Sequence, residues 1–268
     1  MIKYIRRKKY IENNYKSMNF HPNVIIIGIG GCSRCGKTTL AREIINQYKN
    51  MFDKNSEFTD AISSIHLDRY FNMSKIHRNV IKTDQGNSYG NWEFPGALDW
   101  DKFYSDIQNE INKINTKIKN SPFPNKKGIL IIEGFLLYSP LMSSYNDNSN
   151  YLDLFDYYIY ICFDKSIAKE RRMKTTPVPP DYYDFILWPE HIKYCSEYVT
   201  FFKNKKNDGK NILIIDGNKQ YDSITVALYI LKWINASKRS DSRCNEIYKR
   251  LFTPMDNQLN LLQKNFVN

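Results

Sequence analysis

Gly31-Cys32-Ser33-Arg34-Cys35-Gly36-Lys37-Thr38 satisfies the pattern G-x-x-x-x-G-K-[ST] in full and stands directly behind the apolar run Asn23 to Ile29. From Thr39 onward, Leu40, Ala41, Ile44, Ile45 and Tyr48 fall on one helical face. Strand, glycine-rich turn and helix therefore follow in the order the motif requires. In such a turn, successive backbone N–H groups curl around phosphate oxygens at the positive end of the helix. Lys37 can reach the β- and γ-phosphates, and the Thr38 hydroxyl is placed to ligate Mg2+. The stretch predicts a nucleoside triphosphate site made by Gly31, Cys32, Ser33, Arg34, Cys35, Gly36, Lys37, Thr38 and Thr39.

Further along the chain, Ile62 to Leu67 reads as a short strand ending at Asp68, and Ile129 to Ile132 as a buried strand ending at Glu133-Gly134. Tyr157 to Phe163 is a third such run, followed by a basic helix from Lys165 to Lys174, and Asn211 to Ile215 is a last strand ending at Asp216-Gly217. Trp100, Phe103, Ile107, Ile111, Ile114 and Ile118 mark a covering helix, and Ile224, Ala227, Leu228, Leu231 and Ile234 the final one. Strands alternating with helices predict an α/β fold, a parallel sheet covered by helices on both faces. Asn72 to Asn91 and residues 139 to 150 are polar, without periodicity, and read as loops. Four prolines between Pro177 and Pro189 stop the basic helix and predict a short mobile lid over about residues 169–190.

The chain has 268 residues and a net charge of +11. Residues 1–22 carry six Lys/Arg against one Glu, and residues 235–268 six against three acids, so only +3 belongs to the stretch between. Basicity confined to the flanks reads as solvated tails, not as a nucleic-acid surface. The expected organisation is a basic, disordered extension over 1–22, an α/β nucleotide-binding domain over 23–234 and a basic tail over 235–268. No run approaches a membrane span, the first apolar stretch is broken by Arg6, Arg7, Lys8 and Lys9, and the five cysteines form no disulfide framework. A cytoplasmic protein with neither nucleic-acid nor membrane partners is expected; the oligomeric state is left open. The C-x-x-C of Cys32 and Cys35 lacks the further ligands or thioredoxin-like context of a metal or redox site, so both are read as loop residues.

Phosphoryl transfer needs a phosphate cradle, a metal, a group that takes the acceptor's proton, and cations that follow the moving charge. Strand ends face the ligand in open α/β sheets, which makes Asp68 the acceptor base and a Mg2+ contact, with Glu133 near the metal. Arg171 and Arg172, with Lys169 and Lys174, form a cluster able to close over a triphosphate. Asn91-Trp92-Glu93 pairs an aromatic face with a carboxylate, a combination suited to a cationic ring bearing a ribose.

These residues, with Asp68-Arg69-Tyr70-Phe71, Ala97-Leu98-Asp99, Ile131-Ile132-Glu133-Gly134-Phe135-Leu136-Leu137, Pro179-Pro180-Asp181 and Trp188-Pro189, resemble nicotinamide riboside kinase over about residues 23–234. The resemblance implies a P-loop kinase fold of the uridine kinase group, with ATP and nicotinamide riboside as substrates and Mg2+ as cofactor. It implies transfer of the γ-phosphate to the ribose 5′-hydroxyl, giving nicotinamide mononucleotide, a step of NAD salvage. It further implies Asp68, Lys37 and Arg171 as catalytic, and Arg171, Lys174, Asp216 and Gly217 as ATP contacts beside the phosphate loop. Asp68, Tyr70, Phe71, Trp92, Glu93, Arg172 and Asp181 become substrate contacts, and Thr38, Asp68 and Glu133 the metal site. Glu93 stands where the family has Asp, Thr175 where it has a lid arginine, and Pro177 where an aromatic closes over the pyridine ring. Uridine or cytidine kinase, another small-molecule P-loop kinase, and a non-catalytic nucleotide-binding scaffold are the competing readings. A GTP switch is excluded, since Asn218-Lys219-Gln220-Tyr221 lacks the Asp of N-K-x-D and no D-x-x-G occurs.

Overall fold

The computed structural model describes residues 22–52, 57–122, 126–138, 153–219 and 222–236. The basic N-terminal extension up to residue 21, the loop expected over 139–150 and the tail from 237 lie outside them. Among the described residues, no helix is long and apolar enough to cross a membrane.

Five parallel strands form the central sheet: β1 (Val24–Gly31), β2 (Ile62–His66), β5 (Gly128–Gly134), β6 (Tyr157–Cys162) and β7 (Asn211–Asp216), in the order β2-β5-β1-β6-β7. Every residue of β5 and β6 is buried, as expected where helices cover both faces. β1 is the centre: the chain leaves it for β2 on one side, returns through β5, and crosses it to reach β6 on the other. The crevice at its carboxyl end is therefore the topological switch point at which α/β sheets bind ligands. Aligned residues of parallel neighbours point to the same face, so the register Gly28↔Ile132 and Val24↔Gly128 sorts the layers. On one face lie α3 (Trp100–Asn120), whose Ile114 and Ile118 close on Gly128, and the aromatic cluster of Tyr138, Phe155 and Tyr160, which closes on Gly28 and Gly30. A Cβ on Gly28 would come within 2.5 Å of the Tyr138 oxygen. α1 (Lys37–Asn50) and α7 (Ser223–Ala236) pack against each other elsewhere on the sheet.

The helices follow their sequence signals. α3 starts at Asp99, whose carboxylate accepts from Lys102 N at 3.2 Å, and it carries Asp101 in its first turn and Lys117 and Lys119 in its last. Its buried residues Phe103, Ile107, Ile111, Ile114 and Ile118 repeat at three to four residues. α7 continues through Ala236, two residues past the expected domain edge.

Two expectations are corrected. Residues 72–91 are ordered as α2 (Met73–Arg78) and a hairpin of β3 (Val80–Lys82) with β4 (Ser88–Gly90). These elements are too short to display a period, and local bonds hold them: Asn72 caps α2 by accepting from Lys75 N, and Asn91 N donates to Asn79 O at 2.8 Å. The proline-rich segment also differs. Only residues 176–179 separate α4 (Lys165–Thr175) from a continuous helical run made of α5 (Pro180–Tyr182), a wide turn at Tyr183–Leu187 and α6 (Trp188–Asn207). Pro189 lacks an N–H, which in sequence reads as a stop. The chain accommodates it by widening the preceding turn to i→i+5 bonding, with Trp188 N on Tyr183 O. Behind it Tyr194, Tyr198 and Phe202 are buried at four-residue spacing.

Candidate active site

The turn after β1 is shaped by backbone conformations that few residues adopt. Gly36 has φ +100° with nothing within 4 Å of where a Cβ would stand, so its glycine requirement is conformational. Arg34 is the single non-glycine residue with positive φ among the described residues, at 65°. Lys37, buried in the first turn of α1, donates from Nζ to Gly31 O at 3.1 Å and Cys32 O at 2.8 Å. The loop carbonyls thus hold its ammonium at the mouth of the turn. Ser33, Arg34, Gly36, Lys37, Thr38 and Thr39 line a cleft of about 730 Å3, while Cys32 and Cys35 are buried beneath.

Strand register builds the next part. β2 pairs with β5 so that His66 stands beside Glu133, and His66 Nδ1 lies 2.6 Å from Glu133 Oε1. The same oxygen accepts from the Thr38 hydroxyl at 2.6 Å. With its proton engaged there, the Thr38 oxygen has lone pairs left to offer a cation. Asp68 follows on the tight turn Leu67–Tyr70 and opens into the cleft with Glu133. Chain direction alternates after it. Phe71 lines the cleft, whereas Tyr70 turns to α3, donating to Asp106 at 3.0 Å and packing edge-on against Phe103. Tyr70, expected as a substrate contact, does not line the cleft and borders a separate hollow with Arg69 and Asp106.

α4 delivers two arginines. Arg172 donates to Ser33 Oγ at 3.0 Å, tying the helix to the phosphate loop, and Arg171 lies 4.7 Å over the Phe163 ring. Gly217 packs against the same ring, which brings Asp216-Gly217 to the neighbourhood of Arg171 without lining the cleft. Lys169 is drawn away into an ion pair with Asp184 at 2.6 Å, and the exposed Lys174 does not line the cleft.

An aromatic row lines another part of the cleft: Phe135 stacks on Phe71 at 5.9 Å, and Phe71 meets Trp92 edge-on at 5.1 Å. Glu93, half-buried next to Trp92, accepts from the Tyr182 hydroxyl at 3.2 Å. Asp181, expected as a substrate contact, is engaged by the hairpin and does not line the cleft. Its carboxylate accepts from Thr83 at 3.2 Å, Asn87 at 2.9 Å and Tyr89 at 2.9 Å, clamping the β3–β4 hairpin to α5.

A family model described as "Phosphoribulokinase / Uridine kinase family" matches residues 26–174. The chain belongs to that family. Among curated proteins, this uridine kinase family member is similar to nicotinamide riboside kinase 2 of Mus musculus, 26% identical over 210 residues that cover 75% of this chain and 91% of that protein. It is similar to nicotinamide riboside kinase 1 of Homo sapiens at 27% over 213 residues, covering 76% and 89%. Uridine-cytidine kinase B of Dictyostelium discoideum is 36% identical over 93 residues, covering 34% of this chain and 31% of that protein. A P-loop kinase of the nicotinamide riboside kinase type is what these likenesses support, and the five-stranded parallel sheet agrees with it.

Charges in the kinase cleft are mutually adjusted. Burial opposes the Lys37 ammonium, but Cys35, Glu133 and Asp68 outweigh it and raise its pKa. Burial likewise works against Glu133, yet the His66 and Thr38 hydrogen bonds and the Lys37 charge hold it below the usual carboxylate range. Desolvation by the cleft walls raises Asp68; Lys37 pulls it back and Glu133 adds to the rise. Burial also raises Glu93, to about 7, against the Tyr182 hydrogen bond and the Arg172 charge. No cluster of three His, Cys, Asp or Glu side chains suited to a metal occurs among the described residues. A hydroxyl and one or two carboxylates facing a phosphate cradle nevertheless fit Mg2+, a hard cation that takes few protein oxygens and completes its shell with phosphates and water. His66, Tyr89 and Tyr182 went unread in sequence. None was singled out by a motif; only folding brings them to the cleft or to Glu133.

Proposed function

We propose that the chain phosphorylates the ribose 5′-hydroxyl of nicotinamide riboside with ATP as donor. The observation that carries this reading is the joint position of Trp92 and Glu93 in the one cleft that also holds Lys37, Thr38 and Asp68. A pyridinium ring gains from an aromatic face and from a nearby carboxylate, neither of which favours an uncharged base to the same degree. The named relatives support the same substrate class.

In this mechanism Lys37 exchanges its loop carbonyls for the β- and γ-phosphate oxygens, and Arg171 and Arg172 neutralise charge as it shifts to the leaving group. Asp68 takes the proton of the 5′-hydroxyl, a task for which a carboxylate whose pKa is raised by burial is suited. Thr38 and Asp68 would hold Mg2+, with Glu133 orienting the Thr38 hydroxyl; bound there, the ion supplies neutralisation of phosphate charge and orientation of the γ-phosphoryl group. Trp92, Phe71 and Glu93 position the acceptor, and Tyr182, which also lines the cleft, supplies a further aromatic ring where Pro177 offers none in sequence. The kinase domain is assigned to residues 23–236.

A uridine-directed kinase is the second reading, favoured by the 36% identity to uridine-cytidine kinase B over a third of the chain. ADP release measured with nicotinamide riboside and with uridine separates the two. Turnover preferring the riboside and lost in Lys37→Ala is expected. A preference for uridine overturns the substrate assignment, and ATP binding without turnover on either nucleoside identifies a non-catalytic scaffold.

A further inference from the structure

The phosphate loop contains two cysteines, and its geometry places their thiols together. Cys35 N donates to Cys32 O at 3.3 Å, closing a turn whose third residue is the positive-φ Arg34. A turn of this kind keeps its first and fourth Cα atoms within about 7 Å, the span a disulfide bridges. Both side chains point into the protein at 3% and 4% exposure, the two thiols are hydrogen-bonded to each other, and Cys35 Sγ lies 3.8 Å from Lys37 Nζ. The spacing alone read as two loop residues; the shared burial and the lysine contact are what the fold adds.

We propose that Cys32 and Cys35 are a thiol-modification site that a small hydroperoxide converts to an intramolecular disulfide, and that this bond closes the phosphate loop to ATP. The proposal rests on the phosphate-loop reading and not on the identity of the acceptor. The chemistry starts at Cys35. Burial pushes its thiol up, but the Cys32 hydrogen bond and the Lys37 ammonium bring it down to about 7, so a thiolate is accessible at neutral pH. The Cys35 thiolate attacks one peroxide oxygen, the O–O bond breaks, and hydroxide leaves with the electron pair and takes up the proton the thiol released. Cys32 sulfur then attacks the resulting sulfenic acid, expelling its hydroxyl, which departs as water with the Cys32 proton. Two thiols and one hydrogen peroxide give one disulfide and two waters.

Closure of the loop follows from lack of slack. A Cβ on Gly31, itself at φ +145°, would lie 2.7 Å from Cys35 Sγ and 2.5 Å from Ile161 O, so the loop is seated tightly against β6. Drawing Cys35 Sγ onto Cys32 must move the backbone whose N–H groups cradle the phosphates. It also removes the thiolate that offsets the Lys37 charge. Burial admits only a small oxidant.

The test uses the full chain and hydrogen peroxide, with a fluorescent ATP analogue for affinity and peptide mapping of alkylated digests for the site. The expected result is loss of two hydrogens on the peptide holding both cysteines, with ATP affinity lowered at least about tenfold and restored by dithiothreitol. Cys32→Ser and Cys35→Ser, each compared with its own reduced form, should lose that peroxide response. The proposal is overturned if this peptide stays reduced while others oxidise, if the disulfide forms with ATP affinity unchanged, or if Cys32→Ser responds like wild type. Should either variant not bind ATP when reduced, the wild-type chain decides: the fraction of disulfide and the fraction of binding lost must rise and recover together, and their divergence refutes the proposal. None of these readouts uses a nucleoside, so their failure leaves the acceptor assignment untouched.

Discussion

Replacing Glu93 by Gln tests the acceptor side of the cleft most directly. Two unit charges about 5 Å apart at an effective dielectric of about 20 attract by about 3 kcal/mol, roughly a hundredfold in affinity. That attraction exists only while Glu93 is ionised. With burial holding its pKa at about 7, the protonated form dominates below neutrality and the carboxylate above it. The ionised fraction rises about tenfold between pH 6 and pH 8, and the charge-dependent part of riboside recognition should rise with it. A single substrate's kcat/KM also carries whatever pH dependence the chemical step has. The ratio of kcat/KM for nicotinamide riboside to that for uridine cancels that dependence, because both acceptors need the same base. This ratio should climb with pH toward a factor of about ten across that range in the wild type and stay flat, at a low value, in Glu93→Gln. Steady-state kinetics at constant ionic strength provide the measurement. A ratio independent of pH in the wild type, or equally pH-dependent in Glu93→Gln, refutes the charge argument.

Tyr182→Phe removes the hydroxyl that donates to Glu93, a bond that favours the carboxylate, so the midpoint of the same profile should move to higher pH; an unmoved midpoint disconnects the two residues. Asp68→Asn should lower kcat by at least about 100-fold with little effect on ATP affinity, since an amide cannot take the hydroxyl proton; kcat within about threefold of wild type removes Asp68 from catalysis. Asp181→Ala deletes the acceptor shared by Thr83, Asn87 and Tyr89 and should raise the riboside KM several-fold more than it lowers kcat, because the loosened hairpin leads into Trp92 and Glu93 while the phosphate loop is untouched; an equal effect on KM for ATP argues for general destabilisation instead. A chain trimmed to residues 22–238 should retain ADP release at near full rate, and loss of activity in a trimmed chain with an unchanged circular dichroism spectrum assigns a role to a flank.

β1, the phosphate loop and α1 were legible because their signals are local. An apolar run, a glycine spacing and a 3.6-residue period each lie within a few neighbouring residues, and the structure reproduces them with shifts of one or two positions at the ends. The same holds for α3, whose apolar ladder from Trp100 to Ile118 is local in sequence. α2 and the β3–β4 hairpin escaped notice because six- and three-residue elements carry no measurable period. α6 was hidden by Pro189, which local rules read as a break and the wide turn at Tyr183–Leu187 absorbs.

The chain's own order of residues was enough to expect a phosphate site at Lys37 and Thr38 and to set both on one cleft wall, since one turn of backbone brings them together. It could not say what stands opposite. His66 meets Glu133 across 67 residues, Tyr182 meets Glu93 across 89, and Asp181 turns to Thr83 across 98. Those partnerships depend on sheet register and on how α5 seats against the hairpin. Both result from packing a whole core at once, in which each side chain's direction is set by neighbours that no short stretch of sequence contains.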